Sequence, residues 1–392
     1  MPTIPPAPTG FSATTPSTAA GDAVARMMAT EAAADEVDLS IGEPDQPLPS
    51  PLVEAAVASL RAGRTGYTPK LGLSELRALV ADDVAAGTGF RPDPADVVIT
   101  LGGTGAVAVG LAAVCAPGGT LVAPDPAWPN YRVLAERLGI GVLPYRQGPS
   151  GDGFADLAAI DEGLRAGARL VVVNSPSNPT GAVASATALR DLVALAREHN
   201  AYLLSDEAYE AVVFAGGRAP SPLAGGGHDC TLAARTFSKT WSMTGLRVGA
   251  LIAPPELREA VAALHGTTAG CAPVTAQLVA AEALRVLPDR GSELAATYRA
   301  RFERAVRALG PWAPAEPVGT LGGFYVWVDA RATGRTSTEL TAALRAAGVV
   351  TSAGTVYTAD EGYLRLALTA PDDVLDRALE ATRTVLDACT GL

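Results

Sequence analysis

The chain has 392 residues, of which 48% are hydrophobic, and its formal net charge is -11. This length allows two domains, or a large domain with a smaller one attached, and the acidic balance argues against nucleic acid or an anionic membrane surface as the main partner. None of the four cysteines forms a CxxC pair, so we expect neither a disulfide framework nor a metal site. The chain shows neither a signal-peptide pattern nor an apolar stretch long enough to span a bilayer, so we expect a cytoplasmic protein.

The predicted elements begin with an N-terminal segment, residues 1–50, that contains a helical stretch followed by "DLSIGEPD". From about residue 96 to 252, short apolar runs alternate with amphipathic helical patterns such as "ATALRDLVALAREHN". Most of the runs are too continuously apolar for strands with one wet face, so they predict strands that are covered on both faces. Because helical crossovers join parallel strands, the pattern indicates an α/β domain with a mostly parallel seven-stranded sheet. The runs are "DVVITL", "TLVAPD", "GVLPYR", "RLVVVNSP", "YLLSDEAY", "TLAARTF" and "RVGALIAP".

The pattern changes after "APPELREAVAALHG", where longer helices are followed by the strand-like runs "GGFYVWVDA" and "YLRLALT" and by a last helix. This order is typical of a second, smaller α+β unit. We therefore predict a large domain over residues 51–275 and a small domain over residues 276–392. We expect residues 1–50 to pack with the small domain.

Lysine is nearly absent from the sequence, which has only Lys70 and Lys239 among its 30 basic residues. Lys239 lies in "TFSKTWSMTGLRVG", whereas the other basic residues are all arginine. An amine that loses its proton can attack a carbonyl carbon to form a Schiff base, and a guanidinium cannot. This contrast indicates a covalent role for Lys239, whereas we expect Lys70 to be solvated and without a function.

Polar residues follow several of the apolar runs, at the edge of a parallel sheet where ligands bind. The turn "LGGTGA" offers backbone N–H groups that suit a phosphate, although a plain tight turn explains it as well. The hydroxyls of Thr236 and Ser238 can complete such a site or simply cap a turn, and Arg247 can join them or form a surface ion pair. Asp206, which ends an apolar strand, suits a cationic partner or a helix N-cap.

Taken together, "GGTGA", "NSPSNPTG", "SDEAYE", "SKTWSMTGLRVG" and "YLRLAL", at these separations, resemble the aspartate-aminotransferase-like family of fold type I enzymes that use pyridoxal 5'-phosphate. The resemblance extends over nearly the whole chain. It implies that Lys239 forms a Schiff base with the cofactor and moves the substrate α-proton. It also implies that Asp206 pairs with the protonated pyridine nitrogen, that Asn178 and Tyr209 bond the phenolic oxygen, and that Trp128 stacks on the ring.

The resemblance implies further contacts with the cofactor phosphate and with the substrate. Tyr67 matches a residue that reaches the phosphate of the neighbouring subunit, which implies a homodimer. Arg365 would grip the substrate α-carboxylate, helped by the backbone of Gly42 and by Asn178. The phosphate would lie against Gly102, Gly103, Thr104, Thr236, Ser238 and Arg247.

The reaction that the resemblance implies is transfer of an amino group from an L-amino acid to a 2-oxo acid in a ping-pong cycle. The same site chemistry also serves elimination, replacement or cyclisation in related enzymes, and a sensing module of a transcription regulator is a third class, which the acidic charge and short N-terminal segment disfavour. Thr104 stands where some aspartate-specific relatives have a lysine, so the substrate stays open. The pocket wall is expected to include Tyr67, Trp241, Tyr357, Ile41 and Phe11.

Overall fold

The structure is a computed structural model that describes residue 21 and residues 32–314, 316 and 318–390. The helical stretch expected before "DLSIGEPD" lies almost wholly outside these residues, as does Phe11. The strands are β1 (Val37–Asp38), β2 (Val97–Thr100), β3 (Thr120–Asp125), β4 (Gly141–Arg146), β5 (Leu170–Asn174), β6 (Tyr202–Asp206), β7 (Thr231–Thr236), β8 (Gly249–Ile252), β9 (Tyr325–Asp329), β10 (Val349–Val350), β11 (Ser352–Ala353) and β12 (Tyr363–Ala367).

Helices connect these strands along most of the described chain. The one at Ala186–Glu198 begins where the sequence predicts, because the Ser185 side chain accepts a hydrogen bond from the Ala188 N–H and so caps its first turn. The α-helices are α1 (Ser50–Arg61), α2 (Ser74–Thr88), α3 (Gly102–Val114), α4 (Asn130–Arg137), α5 (Leu157–Arg165), α6 (Ala186–Glu198), α7 (Arg258–Thr268), α8 (Val274–Val286), α9 (Arg290–Leu309), α10 (Ser337–Ala346) and α11 (Asp372–Thr390).

A seven-stranded sheet in the order β2-β8-β7-β6-β5-β3-β4 forms the centre of the large unit. The pairs from β4 through β3, β5 and β6 to β7 are all parallel, and only β8 runs antiparallel to its neighbours. Each predicted apolar run forms one of these strands, so the predicted mostly parallel sheet is confirmed. The link from β7 to β8 contains no crossover helix, and β8 therefore returns in the opposite direction.

Helices cover both faces of the sheet, as the continuous apolar runs predict. In β5, Leu170 and Val172 belong to one hydrophobic cluster, and Val171 and Val173 belong to another. Successive side chains of a strand point to opposite faces, so each cluster marks one covered face. Because both faces are covered, a ligand can reach polar residues of the sheet only at the ends of the strands.

The C-terminal part forms a second core around the antiparallel sheet β11-β12-β9. Strand β1 pairs in parallel with β10, and Leu39 belongs to the same hydrophobic cluster as Phe324 and Leu364. Residues 37–39, which precede the large unit, therefore pack with the C-terminal part. Helix α8 belongs to the cluster that contains α1 and α2, so we propose that the division falls between α8 and α9 rather than at 275/276.

Candidate active site

The carboxyl ends of β5, β6 and β7 meet at one edge of the sheet and form the floor of a cleft of about 270 Å³. Asn174 lies directly opposite Asp206 in the β5–β6 pairing, and the start of α3 and the link after β7 enclose the same space. Ligands of open α/β sheets bind at this edge. Of the residues implied by the resemblance, those that line the cleft are Gly42, Gly103, Thr104, Trp128, Asn178, Asp206, Tyr209, Thr236, Ser238, Lys239, Arg247 and Arg365.

One end of the cleft is suited to an anion. Helix α3 begins here without a side-chain cap, so its first N–H groups are available to a ligand. The Thr236 hydroxyl donates to Ser238 Oγ at 2.9 Å, which places both hydroxyls together as their spacing predicts. Arg247 forms no ion pair with any described residue, and its Nη1 donates to the Thr244 carbonyl oxygen at 2.7 Å. A guanidinium, two hydroxyls and a helix N-terminus are therefore directed at one place.

Two glycines allow the chain to come close at this end. Gly102 has a φ of +68°, and a Cβ there would lie 2.7 Å from Nη2 of Arg247. A Cβ on Gly103 would lie 3.3 Å from the Cβ of Thr236. The Gly-Gly turn is thus required by both the backbone conformation and the close approach of its neighbours. Gly102 itself does not line the cleft, but its lack of a side chain leaves room for the Arg247 guanidinium.

Asp206 lies at the other end and is buried. Its Oδ2 accepts a hydrogen bond of 2.6 Å from the Tyr131 hydroxyl, and its Oδ1 accepts one of 3.1 Å from the Ala208 N–H. Burial raises the pKa of the Asp206 carboxyl to about 6, although the Tyr131 hydrogen bond opposes this. A cationic group placed against Asp206 would stabilise its ionised form. No α-helix follows Asp206 directly, so an N-cap role does not apply.

Lys239 lies between the two ends, on the link from β7 to β8. Its Nζ donates to the Gly42 carbonyl oxygen at 2.7 Å and lies 5.8 Å from the centroid of the Phe324 ring. Burial lowers the pKa of the Lys239 amine, and the positive charges of Arg365 and Arg247 lower it further. The neutral amine, which is the nucleophilic and basic form, is therefore favoured.

Arg365 is a buried cation on β12. Its Nη1 donates to Asn178 Oδ1 at 3.1 Å and its Nη2 donates to the Ser40 carbonyl oxygen, while its Nε has no partner. The guanidinium carbon lies 4.3 Å from the centroid of the Tyr325 ring. No acidic side chain in the described ranges forms an ion pair with it. This arrangement leaves a desolvated guanidinium edge available for a ligand carboxylate.

Some residues of the site escaped the sequence reasoning. The Asn174 amide donates to the Asp206 carbonyl oxygen at 3.0 Å and its Oδ1 accepts from the Asn178 N–H at 2.8 Å, so it joins two predicted residues. The Tyr209 and Tyr325 hydroxyls lie 2.8 Å apart. Asn174 could have been found, because it ends an apolar strand just as Asp206 does.

Other expected residues lie elsewhere. Tyr67 is 99% exposed and does not line the cleft of its own chain. Trp241 is buried in the core against Phe237, and Tyr357 packs beneath the Arg365 guanidinium; neither lines the cleft, although Ile41 does. The prediction that Trp241 and Tyr357 line the wall is therefore wrong, because an aromatic residue near a cleft serves packing as readily as binding. Lys70 is exposed, as expected.

The donor set fits pyridoxal phosphate. The anion end matches its phosphate, the partly buried Trp128 is a flat aromatic surface that lines the cleft, and the Asp206 carboxylate matches a protonated ring nitrogen. Lys239 provides the amine that its aldehyde requires. Among the described residues, no group of three or more His, Cys, Asp or Glu side chains could hold a metal ion, and no helix is long and apolar enough to cross a membrane.

Known proteins resemble this chain along most of its length. A family model described as aminotransferase class I and II matches residues 34–381. An LL-diaminopimelate aminotransferase of Desulforudis audaxviator is 33% identical over 367 residues, which cover 91% of this chain and 92% of that protein. An aspartate/prephenate aminotransferase of Thermus thermophilus is 30% identical over 359 residues, which cover 90% of this chain and 91% of that protein.

Solved structures agree with the sequence matches. An aspartate aminotransferase from Thermus thermophilus with maleate matches the fold with a TM-score of 0.84 at 29% identity, over 94% of this chain and 96% of that one. This chain therefore shares its fold with that enzyme over most of its length. The chain belongs to the class I and II aminotransferase family, and it is a fold type I aminotransferase that depends on pyridoxal 5'-phosphate.

Proposed function

We propose that the cleft holds pyridoxal phosphate between Arg247 and Asp206, with its aldehyde at Lys239, and that Arg365 selects L-amino acids and 2-oxo acids by their α-carboxylate. The observation that carries this proposal is the state of Arg365. It is buried, its Nε is unpartnered, and no acidic residue of the described chain pairs with it. A buried charge without a counter-ion is costly, so a ligand carboxylate is the natural counter-ion.

The cofactor, when bound, supplies an aldehyde that bonds to amines and a ring that accepts the electrons released at the substrate α-carbon. Lys239 Nζ would take the proton from the substrate α-carbon and would give a proton back at a later stage of the transfer. Its lowered pKa supports this role, because only the unprotonated amine accepts a proton. Ping-pong exchange follows, since one amino acid must leave as its 2-oxo acid before another oxo acid enters.

The remaining contacts would hold the ring in place. Asp206 would keep the ring nitrogen protonated, and the Asn178 amide and the Tyr209 hydroxyl would bond the phenolic oxygen. Trp128 would cover one ring face and exclude water from it. The hydrogen bonds of Asn174 support this assignment, because they fix Asp206 and Asn178 relative to each other.

The substrate side chain would face the mouth of the cleft, where the exposed carboxylate of Glu43 accepts a hydrogen bond from the Thr244 hydroxyl. The cations that line this cleft, Lys239, Arg247 and Arg365, are all assigned to other groups. Among the described residues that line this cleft, no cation therefore remains for a distal carboxylate. The relatives are named for aspartate, prephenate and LL-diaminopimelate, so the donor has to be found by assay.

We also propose a homodimer in which Tyr67 reaches the phosphate in the partner's cleft. Its near-complete exposure supports this assignment, as does the fact that it does not line the cleft of its own chain.

We propose a cytoplasmic location because the four cysteines form no disulfide.

A half-reaction screen tests the proposal. Purified holoenzyme is mixed with acidic, aromatic, aliphatic and basic L-amino acids, and the visible absorption of the bound cofactor is followed. At least one amino acid should convert the cofactor to its amine form and release the matching 2-oxo acid. If none does, or if ammonia is released instead, amino transfer is the wrong reaction.

Arg365→Met sharpens the test. Loss of two charge-assisted hydrogen bonds to the α-carboxylate should lower kcat/KM about 100-fold or more, whereas the affinity for the cofactor should stay within about threefold. Arg377→Met, which removes an exposed arginine of α11 that pairs with Asp373, is the matched control and should leave both quantities unchanged. Normal kcat/KM in Arg365→Met would refute the proposed carboxylate site.

A further inference from the structure

A group of buried charged residues lies directly behind the cofactor residues of β6 and β7. Glu207 follows Asp206, and Arg235 precedes Thr236. Asp206 and Thr236 line the cleft, whereas Glu207 and Arg235 do not. Consecutive residues of extended chain point to opposite sides, so the Glu207–Arg235 pair faces α2 instead.

The two side chains form a complete buried ion pair. Arg235 Nε and Nη2 contact Glu207 Oε2 at 3.0 Å and 2.9 Å, and only 8% and 3% of the two side chains are exposed. The other carboxylate oxygen of Glu207 accepts from the Ser221 hydroxyl at 2.5 Å. Arg235 Nη1 also donates to Asp83 Oδ2 on α2 at 3.0 Å. Each nitrogen of the Arg235 guanidinium and each carboxylate oxygen of Glu207 thus has a defined partner.

The pair continues the β6–β7 ladder beyond its last backbone bond. Asp206 lies opposite Ala234, and the Glu207 N–H donates to the Ala234 carbonyl oxygen at 2.9 Å. The next contact along the two strands is the side-chain pair itself. It therefore joins the β6 end to the β7 end at the point where Asp206 and Thr236 turn toward the cleft.

We propose that the Glu207–Arg235 pair is a positioning element for the cofactor, which sets the spacing between the Asp206 carboxylate and the hydroxyls of Thr236 and Ser238. This inference rests on the proposed function, in which Asp206 and those hydroxyls bind opposite ends of one rigid ligand. A buried ion pair stabilises a fold little more than apolar side chains of the same size do, but it is directional. The pair therefore acts by fixing geometry, which matters because a misplacement of about 1 Å at such a site can lower the rate about 100-fold.

The test uses the double variant Glu207→Met/Arg235→Met, which replaces the pair with apolar volume. Asp83, which also contacts Arg235, keeps its ion pair with Arg218 at 2.6 Å. Apo protein is titrated with pyridoxal phosphate, and both the dissociation constant and the pH midpoint of the visible band are measured. The apo variant should melt within a few degrees of the wild type, whereas its dissociation constant should rise at least about tenfold. The pH midpoint of the band should also move, which a loss of stability alone does not cause.

The matched control is Asp96→Met/Arg258→Met, an ion pair of 2.6 Å at the amino end of β2 in the same sheet. It should leave cofactor affinity and pH midpoint unchanged. Arg235→Lys keeps the charge but not the forked geometry, and it should weaken cofactor binding several-fold in a folded protein, so the inference stays testable if the double variant does not fold. Affinity within about twofold of the wild type, with an unmoved midpoint, in Arg235→Lys and in any folded double variant overturns the inference. A wild type that binds no cofactor overturns the proposed function as well.

Discussion

Burial shifts the pKa values of two residues in the cleft in opposite directions. Lys239 has a lowered pKa and Asp206 a raised one, and burial is the largest cause in both cases. Each shift favours the neutral form of the side chain concerned. A ligand with a cationic ring beside Asp206 would lower the pKa of the Asp206 carboxyl again, and its positive charge would oppose protonation of the Lys239 amine.

Asp206→Asn tests the shift of the acid in cofactor-free protein. The pKa of Asp206 rises from 3.8 to about 6 on folding, so the folded protein binds this proton more tightly than the unfolded chain. Its contribution to the free energy of unfolding is full below about pH 4 and declines by about 3 kcal/mol as the pH rises through 6. Urea unfolding across this range should show the wild type losing that amount relative to Asp206→Asn. Parallel pH curves would contradict a raised pKa.

Glu43→Gln tests the charge at the mouth. Glu43 is exposed and lines the cleft where the substrate side chain is proposed to lie, so removal of its charge should favour acidic substrates. We expect the ratio of kcat/KM for glutamate to that for leucine to rise about two- to tenfold at low salt, and less at high salt. Glu54→Gln, an exposed change on α1 outside the cleft, is the control. An unchanged or lower ratio would show that the distal group lies elsewhere.

Sequence reasoning found the residues whose chemistry is unusual for their setting. Lys239 is rare in this composition and Asp206 ends an apolar strand, and both line the cleft. Tyr131 could not be found in this way. Its contact with Asp206 joins positions 75 residues apart, and a tyrosine at the start of a helix gives no local sign of its partner.

At the scale of elements, the link from β7 to β8 and the first turn of α3 build the anion end. The apolar runs predicted the strands, because burial on both faces leaves a continuous apolar signal. They did not predict that β8 is antiparallel, since direction depends on how residues 237–248 fold. The same link also places Trp241 in the core and Lys239 in the cleft, although the residues are two positions apart.

Gly102→Ala tests the first turn of α3. At a φ of +68° an added Cβ costs about 1 kcal/mol and also collides with Arg247. Cofactor affinity should fall at least about tenfold. Gly89→Ala at the end of α2 has a similar φ of +74° with open space around it, so it should carry the same backbone cost without the collision and leave affinity unchanged. Equal affinities in the two variants would mean that this turn does not contact the phosphate.

At the scale of the whole molecule, the cleft combines two units. The large unit supplies Lys239 and Asp206, whereas Arg365 comes from β12 of the C-terminal sheet. The segment after β1 closes the cleft, since the Gly42 carbonyl accepts from Lys239 and the Ser40 carbonyl accepts from Arg365. The motifs alone could not show this convergence, because it depends on how the two cores meet.

The proposed dimer makes a prediction about mixed subunits. A heterodimer of Lys239→Ala and Tyr67→Ala chains is purified by two different tags. If Tyr67 serves the partner, one cleft regains both residues, so kcat/KM per dimer should be about half that of the wild type. If Tyr67 serves its own chain, activity should not exceed about half that of Tyr67→Ala, and if the protein is a monomer, no species that carries both tags is recovered.

The most direct test of the account is to locate the cofactor on the chain. Holoenzyme is reduced with borohydride, digested and mapped by mass spectrometry, and the two lysines of the sequence make the assignment unambiguous. The account predicts a pyridoxyl group on Lys239 and none on Lys70, with no change in Lys70→Arg. A modified Lys70, or a protein without any adduct, would contradict it.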